Sequence, residues 1–184
     1  MRCMFAMILV VLSGCQPSND TALTEAERSQ AGGLRQTETH QRLHAFGGTL
    51  IGTNEGEWGG EVKFQEKDGT SYTVVPDNSH GIFEMPYGVV ALTGLAHLGS
   101  NRGAIHLLTR PQGKPVTARK LMQLPGAPCD VIRANDRITM RISSWHRNAD
   151  SGTVTRQYTC HALLSDQDLI QYKCPTPAPE ICFG

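Results

Sequence analysis

The chain has 184 residues, with 17 basic and 17 acidic side chains and therefore no formal net charge at pH 7. This balance gives no electrostatic reason to expect nucleic acid or an anionic membrane surface as a partner. Hydrophobic residues make up 39% of the chain, which is sufficient for one domain with a core. Nineteen glycines and ten prolines, with few long helical patterns, favour a turn-rich all-β protein.

The first fifteen residues have the features of an export signal. Arg2 is followed by nine apolar residues, 4–12, which are too few to cross a hydrocarbon core of about 30 Å but suit a signal peptide. The small residues Ser13 and Gly14 then precede Cys15. The stretch Leu12-Ser13-Gly14-Cys15 resembles the lipobox of bacterial lipoprotein signal peptides.

The resemblance implies that residues 1–14 are removed and that Cys15 becomes the lipidated first residue of a 170-residue mature chain. In Gram-negative lipoproteins an Asp after the cysteine favours retention in the inner membrane. Here Gln16 and Pro17 follow. The resemblance therefore implies an outer-membrane lipoprotein carrying acyl chains such as palmitate and facing the periplasm. An ordinary secretory signal is the alternative interpretation.

Residues 15–46 are polar and are interpreted as a tether between the lipid and a β-domain of residues 47–184. Thr24 to Glu27 has the spacing of a capping box and predicts a short helix that Gly32 and Gly33 would end. His40 and His44 would share a helix face, which is metal-ligand spacing. No third ligand accompanies them, so we expect no metal site.

The cysteines agree with export, because four remain once Cys3 leaves with the signal and Cys15 is lipidated. In an oxidising compartment four cysteines usually pair, and three pairings are possible. The pairing Cys174–Cys182 is favoured because prolines stiffen the segment between them, which leaves Cys129–Cys160. A Cys₄ zinc site is disfavoured because the chain contains no C-x-x-C motif.

From residue 47 onward, strand-like runs alternate with turn signals. Asp68-Gly69 predicts a hairpin between two of these runs. Eleven short antiparallel strands are predicted, in a sandwich or propeller-like arrangement. They cover residues 49–52, 61–65, 71–75, 81–85, 89–92, 103–108, 116–121, 130–133, 138–144, 153–164 and 169–173.

Residues 47–109 also resemble blades of β-propeller proteins. The matching features are the run Thr49 to Asn54, the Asp68-Gly69 hairpin and the segment from His80 to Gly94. The resemblance implies that each blade is a small antiparallel sheet. About three blades' worth of strands are present, whereas a closed propeller normally has at least four. Either the ring is therefore incomplete, or the pattern records only antiparallel hairpins.

Motifs for known catalytic chemistry are missing from the sequence, which has no G-x-S-x-G, Walker A, H-E-x-x-H or EF-hand pattern. We therefore expect a non-enzymatic protein without a cofactor. Two segments contain residue types that often anchor interfaces, 55–60 and 145–152. The candidate partner-binding residues are Trp58, Trp145, His146 and Arg147.

These observations lead to three hypotheses. The first is an envelope lipoprotein whose β-domain binds a protein partner, with an inhibitor or immunity protein against a periplasmic hydrolase or toxin as one subclass. The second is a structural or assembly component of the outer membrane. The third is a hydrolase on a propeller-like scaffold, which would require a spatial cluster of catalytic side chains that the sequence does not display.

Overall fold

The computed structural model describes residues 40–97 and 100–174, with only the backbone described for residues 40 and 145–147. Within these ranges the protein contains twelve antiparallel strands and no α-helix, so the all-β prediction is confirmed. The strands are β1 (His40–Ala45), β2 (Gly48–Thr53), β3 (Val62–Gln65), β4 (Ser71–Val75), β5 (Ser79–Met85), β6 (Gly88–His97), β7 (Ser100–Thr109), β8 (Thr117–Leu124), β9 (Pro128–Ala134), β10 (Arg137–Arg147), β11 (Val154–Leu163) and β12 (Leu169–Tyr172).

The twelve strands form three four-stranded sheets, each built from four consecutive strands. Sheet 1 contains β1 to β4, sheet 2 contains β5 to β8 and sheet 3 contains β9 to β12. Antiparallel neighbours can be joined by short turns, and the predicted turn at Asp68-Gly69 joins β3 to β4. There Gly69 has a φ of 90°, and the Asp68 carboxylate accepts hydrogen bonds from the amide and hydroxyl of Thr70.

The β-domain begins earlier than the sequence analysis predicted. Strand β1 lies inside the segment assigned to the tether, and it pairs along its whole length with β2. His44, expected on a helix face, instead lies on this strand and contacts the hydroxyl of Thr49 through Nδ1 at 3.1 Å. The prediction failed because β1 is mostly polar and lacks a clear apolar alternation. Cys15 and the predicted helix near Thr24 lie outside the described residues.

Sheet 2 contributes residues to two cores, because it lies between the other two sheets. Alternate residues of β6 enter different cores: Val89 packs toward sheet 1, whereas Val90 packs toward sheet 3. This explains why the sequence is continuously apolar at residues 89–92 rather than alternating. The core between sheets 1 and 2 contains Leu50, Val62, Phe64, Val75, Ile82, Val89, Ala91, Leu108 and Val116. The core between sheets 2 and 3 contains Phe83, Met85, Val90, Leu92, Ile105, Leu124, Val131, Ile138, Met140, Ile142 and Leu163.

Arg110 links sheet 1 to sheet 2 beside the core between these two sheets. Its guanidinium donates to the carbonyl of Phe46 at 2.8 Å and to Glu66 Oε1 at 2.6 Å, while its Cζ lies 5.1 Å from the ring centre of Phe64. The Phe46 carbonyl belongs to the β1–β2 turn, where Phe46 and Gly47 both have positive φ, as a type I′ hairpin requires. One side chain therefore holds two turns of sheet 1 against sheet 2.

Consecutive sheets stack face to face, and their first strands are neighbours. β1 contacts β5, and β5 contacts β9. Three stacked sheets exclude a simple two-layer sandwich. The arrangement is an array of three four-stranded sheets, each a meander. The resemblance of residues 47–109 to propeller blades stays a prediction.

The disulfide pairing differs from the one favoured in the sequence analysis. Cys160 bonds to Cys174, which lies 14 positions later in the sequence. Both Cys129 on β9 and Cys160 on β11 lie opposite Arg141 of the intervening strand β10. Two strand spacings amount to about 9.6 Å, which exceeds the roughly 7 Å that a disulfide can bridge between Cα atoms. Cys129 is disulfide-bonded as well, and Cys182 lies outside the described residues.

Candidate functional site

Strand direction brings the two predicted partner-binding segments to the same end of the molecule. We call this the upper end and define it as the end where β2, β4, β6, β8 and β10 finish. The β2–β3 connection contains Trp58, and β10 finishes with residues 145–147. Because every sheet is an antiparallel meander, alternate connections must share an end. The sequence identified both segments as candidates but did not predict that they lie at the same end of the molecule.

Trp58 is presented to solvent on a short, hydrogen-bonded turn. We call residues 54–60 the Trp58 turn; it includes a 3₁₀ segment at Gly56–Trp58. The side chain of Trp58 is 85% exposed, far more than the other exposed large hydrophobic residues of the described chain, Val154 and Ile170. Exposing an indole to this degree forgoes the burial of a large apolar surface. Trp58 therefore does not pack over the sheet edge.

A buried asparagine fixes the backbone of the Trp58 turn. Asn78 is only 2% exposed and lies just before β5. Its Oδ1 accepts a hydrogen bond from the Glu55 amide at 3.1 Å, and its Nδ2 donates to the Gly56 carbonyl at 2.8 Å. Gly60 packs so closely on Asn78 and the Thr53 carbonyl that a Cβ there would clash with both. The turn is therefore held by sheet 2 as well as by its own strands.

The Trp58 turn also makes a polar contact with the end of β6. His97 Nε2 lies 2.5 Å from Glu57 Oε2, and both side chains are partly exposed. At the base of the turn, the Thr53 amide donates to the Glu61 carbonyl at 2.9 Å and the Thr53 hydroxyl accepts from the Glu61 amide at 3.0 Å. These contacts leave the backbone on both sides of Trp58 well anchored.

Asn101 connects sheet 2 to sheet 3 at the upper end. Its Nδ2 donates to the Ser143 carbonyl on β10 at 2.9 Å, and its Oδ1 accepts from the Ala127 amide at 3.0 Å. Ser143 is two residues before Trp145 on the same strand. Polar contacts thus run from the Trp58 turn through β6 and β7 to the strand that carries the second predicted segment.

The second segment lies at the end of the β10–β11 hairpin. Trp145, His146 and Arg147 pair in register with residues 156, 155 and 154 of β11. The following loop is organised by Asn148, whose Oδ1 accepts hydrogen bonds from the amides of residues 150 and 151. Val154, opposite Arg147, is 47% exposed. Exposed apolar surface therefore occurs on both sheet 1 and sheet 3 at the upper end.

Sequence reasoning found Trp58 but missed the residues that position it. Asn78, His97 and Asn101 have ordinary turn or strand contexts in the sequence, and their importance depends on partners distant in the chain. The only available signal was the segment Pro76-Asp77-Asn78, which predicts a turn. A turn signal does not reveal that the asparagine side chain is buried beneath another loop.

A shallow open groove lies at the opposite end of sheet 1. It has a volume of about 420 Å³ and is formed by the β1–β2 turn and the beginning of the β3–β4 turn. His44, Thr49, Gln65 and Lys67 contribute its polar side chains. His44 and Thr49 already contact one another, and Glu66 is paired with Arg110. The groove therefore has few free polar groups converging on one point.

Three histidines are held in surroundings that disfavour their charged forms. Burial lowers the pKa of His80, against the opposing effects of a hydrogen bond with the Gly94 carbonyl and the nearby Asp77 carboxylate. Burial and the Lys120 charge lower the pKa of His106, and burial lowers that of His161. The three imidazoles are dispersed over sheets 2 and 3. Burial therefore favours the neutral form of each of these imidazoles.

We expect the free energy of unfolding to fall as the pH is lowered below about 6.5, the ordinary value for histidine. In that range the unfolded chain binds protons that the folded imidazoles resist, so acid favours unfolding, whereas the full stability is present above it. Urea unfolding at pH 7.5, 6.5 and 5.5 measures the effect. His80→Gln should flatten the profile while His44→Gln, at an exposed position, should not; equal stability at pH 7.5 and 5.5 would contradict the assignment.

The described residues contain no group of three or more metal-ligating side chains. In the same part of the chain, no helix has the length and apolar character needed to span a bilayer. The distinctive feature of the described residues is therefore the exposed indole on the hydrogen-bonded Trp58 turn. Comparison with known proteins found no match to any family model, to any curated protein or to any solved structure.

Proposed function

We propose that this protein is an outer-membrane lipoprotein, anchored through Cys15, whose β-domain binds a protein partner at the upper end without catalysing a reaction. The observation that supports binding most directly is the 85% exposure of Trp58 on a turn fixed by Asn78. Tryptophan is among the residues that most often dominate the energy of protein interfaces. Support for the anchor comes from the sequence of residues 1–15.

The rigidity of the Trp58 turn favours a binding role. Ordering a loop during association opposes binding, and a turn that is already hydrogen-bonded avoids much of that entropy loss. The Glu55 amide and the Gly56 carbonyl are both satisfied by Asn78, so the backbone needs no partner to order it. A projecting indole on such a support is suited to enter a cleft. Among binding proteins we therefore favour an inhibitor or immunity protein against a periplasmic hydrolase or toxin.

The chain enters the β-domain at the upper end, because His40 pairs with Thr53 at the beginning of β1. Residues 16–39 separate the proposed anchor from this point. Fully extended, they would span at most about 85 Å. A partner bound at the upper end would therefore be held within that distance of the membrane, as a protective envelope protein requires.

The proposal is tested by placing an aromatic photo-crosslinking amino acid, which keeps an apolar ring at position 58, in the membrane-anchored protein in cells. We expect a discrete protein adduct at position 58. The matched control carries the same amino acid at Ile170, which is 46% exposed on β12 of sheet 3. With the purified adduct partner, Trp58→Ala should raise the Kd by about 30-fold to 1,000-fold, the range of a truncated hot spot.

The stability of the Trp58→Ala variant should stay within about 0.5 kcal/mol of the parent, since the side chain is largely in solvent. Urea unfolding of both proteins checks this. A partner that crosslinks equally well at positions 58 and 170, or that binds Trp58→Ala with unchanged affinity, would contradict the proposed site. Absence of any adduct at position 58 would contradict the proposed binding function itself.

A further inference from the structure

We propose that the partner of the upper end presents an apolar pocket with a basic rim. The Trp58 indole would occupy the pocket, and Lys or Arg side chains on the rim would face the carboxylates beside it. This inference rests on the proposed binding function and adds the chemistry of the partner. It follows from the charges that surround Trp58, together with its exposure.

The loop that carries Trp58 is acidic. Between β2 and β3 the chain contains Glu55, Glu57 and Glu61 and no Lys or Arg. Glu55 and Glu57 are exposed, and both lie within three residues before the 85% exposed Trp58 in sequence. An indole and two carboxylates are therefore offered to solvent from one rigid turn. Such a surface is matched by an apolar site bordered by positive charge.

Neighbouring cations leave this negative charge in excess. Lys63 lies 3.6 Å from Glu61, and Arg102 lies 3.0 Å from Asp77. His97 contacts Glu57, as described above. Within the described side chains, the Glu55 carboxylate makes no ion pair, and Asp150 adds a further exposed carboxylate in the β10–β11 loop. Each of these three basic groups thus faces a carboxylate, while Glu55 and Asp150 form no ion pair within the described side chains.

The same charges argue against the membrane as the occupant. A surface that inserts a tryptophan at an anionic lipid interface usually has Lys or Arg beside it, because these cations are attracted to the headgroups. Glu55 and Glu57 would instead be repelled. A protein surface with an apolar pocket and a basic rim would bind the indole and attract the carboxylates, so the observations favour a basic protein partner.

Long-range attraction is the expected consequence of this complementarity. Charges at the rim of an interface mainly accelerate association and make it depend on salt, whereas a buried aromatic anchor limits dissociation. Glu55→Gln should therefore weaken binding by about two-fold to five-fold at low salt, in line with exposed ion pairs. The effect should shrink as the salt concentration rises.

The test uses the purified mature chain and a random dodecapeptide library displayed on phage. Selections are run on the parent protein with counter-selection on Trp58→Ala, so that enriched peptides depend on the indole. We expect enriched sequences that combine an apolar segment with a positive net charge. Their synthetic versions should bind Glu55→Gln two-fold to five-fold more weakly at 20 mM salt and nearly equally at 500 mM.

Glu84→Gln is the matched control, since Glu84 is an exposed carboxylate near the opposite end of β5. It should leave peptide binding unchanged. Indole-dependent peptides that are neutral or acidic, or that ignore Glu55→Gln, would overturn the basic-partner inference while leaving the binding function intact. A selection that enriches no indole-dependent peptide would count against both, and binding of the parent to anionic lipid vesicles through Trp58 would overturn the choice of a protein partner.

Discussion

Replacing Cys15 by serine should move the protein from the membrane fraction to the soluble periplasmic fraction. Two or three acyl chains hold a protein firmly, at about 0.8 kcal/mol for each buried methylene, whereas a single chain gives only marginal binding. Serine has no thiol to receive the diacylglyceryl group, so the whole anchor is lost. The measurement is fractionation of cells labelled with palmitate, followed by detection of the protein and its label.

Cys3 provides a matched control for this experiment because it also lies in the first fifteen residues. Cys3→Ser should leave both palmitate labelling and membrane association unchanged. Retained palmitate on the Cys15→Ser protein would contradict lipidation at this residue. Loss of label without release from the membrane would show that another contact holds the protein there.

Replacing Phe64 by alanine should lower the free energy of unfolding by about 3–5 kcal/mol, the usual range for a large aromatic residue in a core. Phe64 is fully buried, its ring lies 5.9 Å from that of Tyr72, and it packs against the backbone of Gly48. Truncation removes all of these contacts and leaves a cavity between sheets 1 and 2. It also removes the ring beneath the Arg110 guanidinium.

Urea unfolding monitored by circular dichroism measures the loss. Phe64→Leu is the matched comparison because it keeps most of the apolar volume, and we expect it to cost less than half as much. If Phe64→Ala lowered the free energy of unfolding by no more than about 1 kcal/mol, the core between sheets 1 and 2 would not stabilise their packing as described. A loss confined to sheet 1, seen as a separate early transition, would show that the sheets do not unfold together.

Most strands could be predicted from local patterns, since each of the eleven predicted runs overlaps one of β2 to β12. Period-two alternation identified half-buried strands such as β3, and the Asp68-Gly69 signal identified its hairpin. β1 was not predicted because a polar first strand lacks this alternation. Its pairing is decided by β2, whose hydrogen-bonding edge it completes.

The disulfide and the candidate site depended on long-range geometry. The proline-rich spacing after Cys174 favoured one pairing, but adjacent strands bring Cys174 to Cys160 instead. Likewise, no local property of Asn78 predicts that its side chain supports the backbone beside Trp58. These contacts join positions 14 or more residues apart, and local propensity carries no information about them.

By itself, the sequence determined the all-β class, the four cysteines beyond Cys15, and Trp58 as a candidate anchor, because composition, periodicity and residue chemistry are local properties. The lipid anchor at Cys15 stays a prediction from the same source. The tertiary structure alone decided that sheet 2 contributes to two cores, that Cys160 bonds to Cys174, and that Trp58 shares an end with residues 145–147. Each of these depends on which strands pair and which faces meet, and that choice minimises the free energy of the whole chain rather than of any one segment.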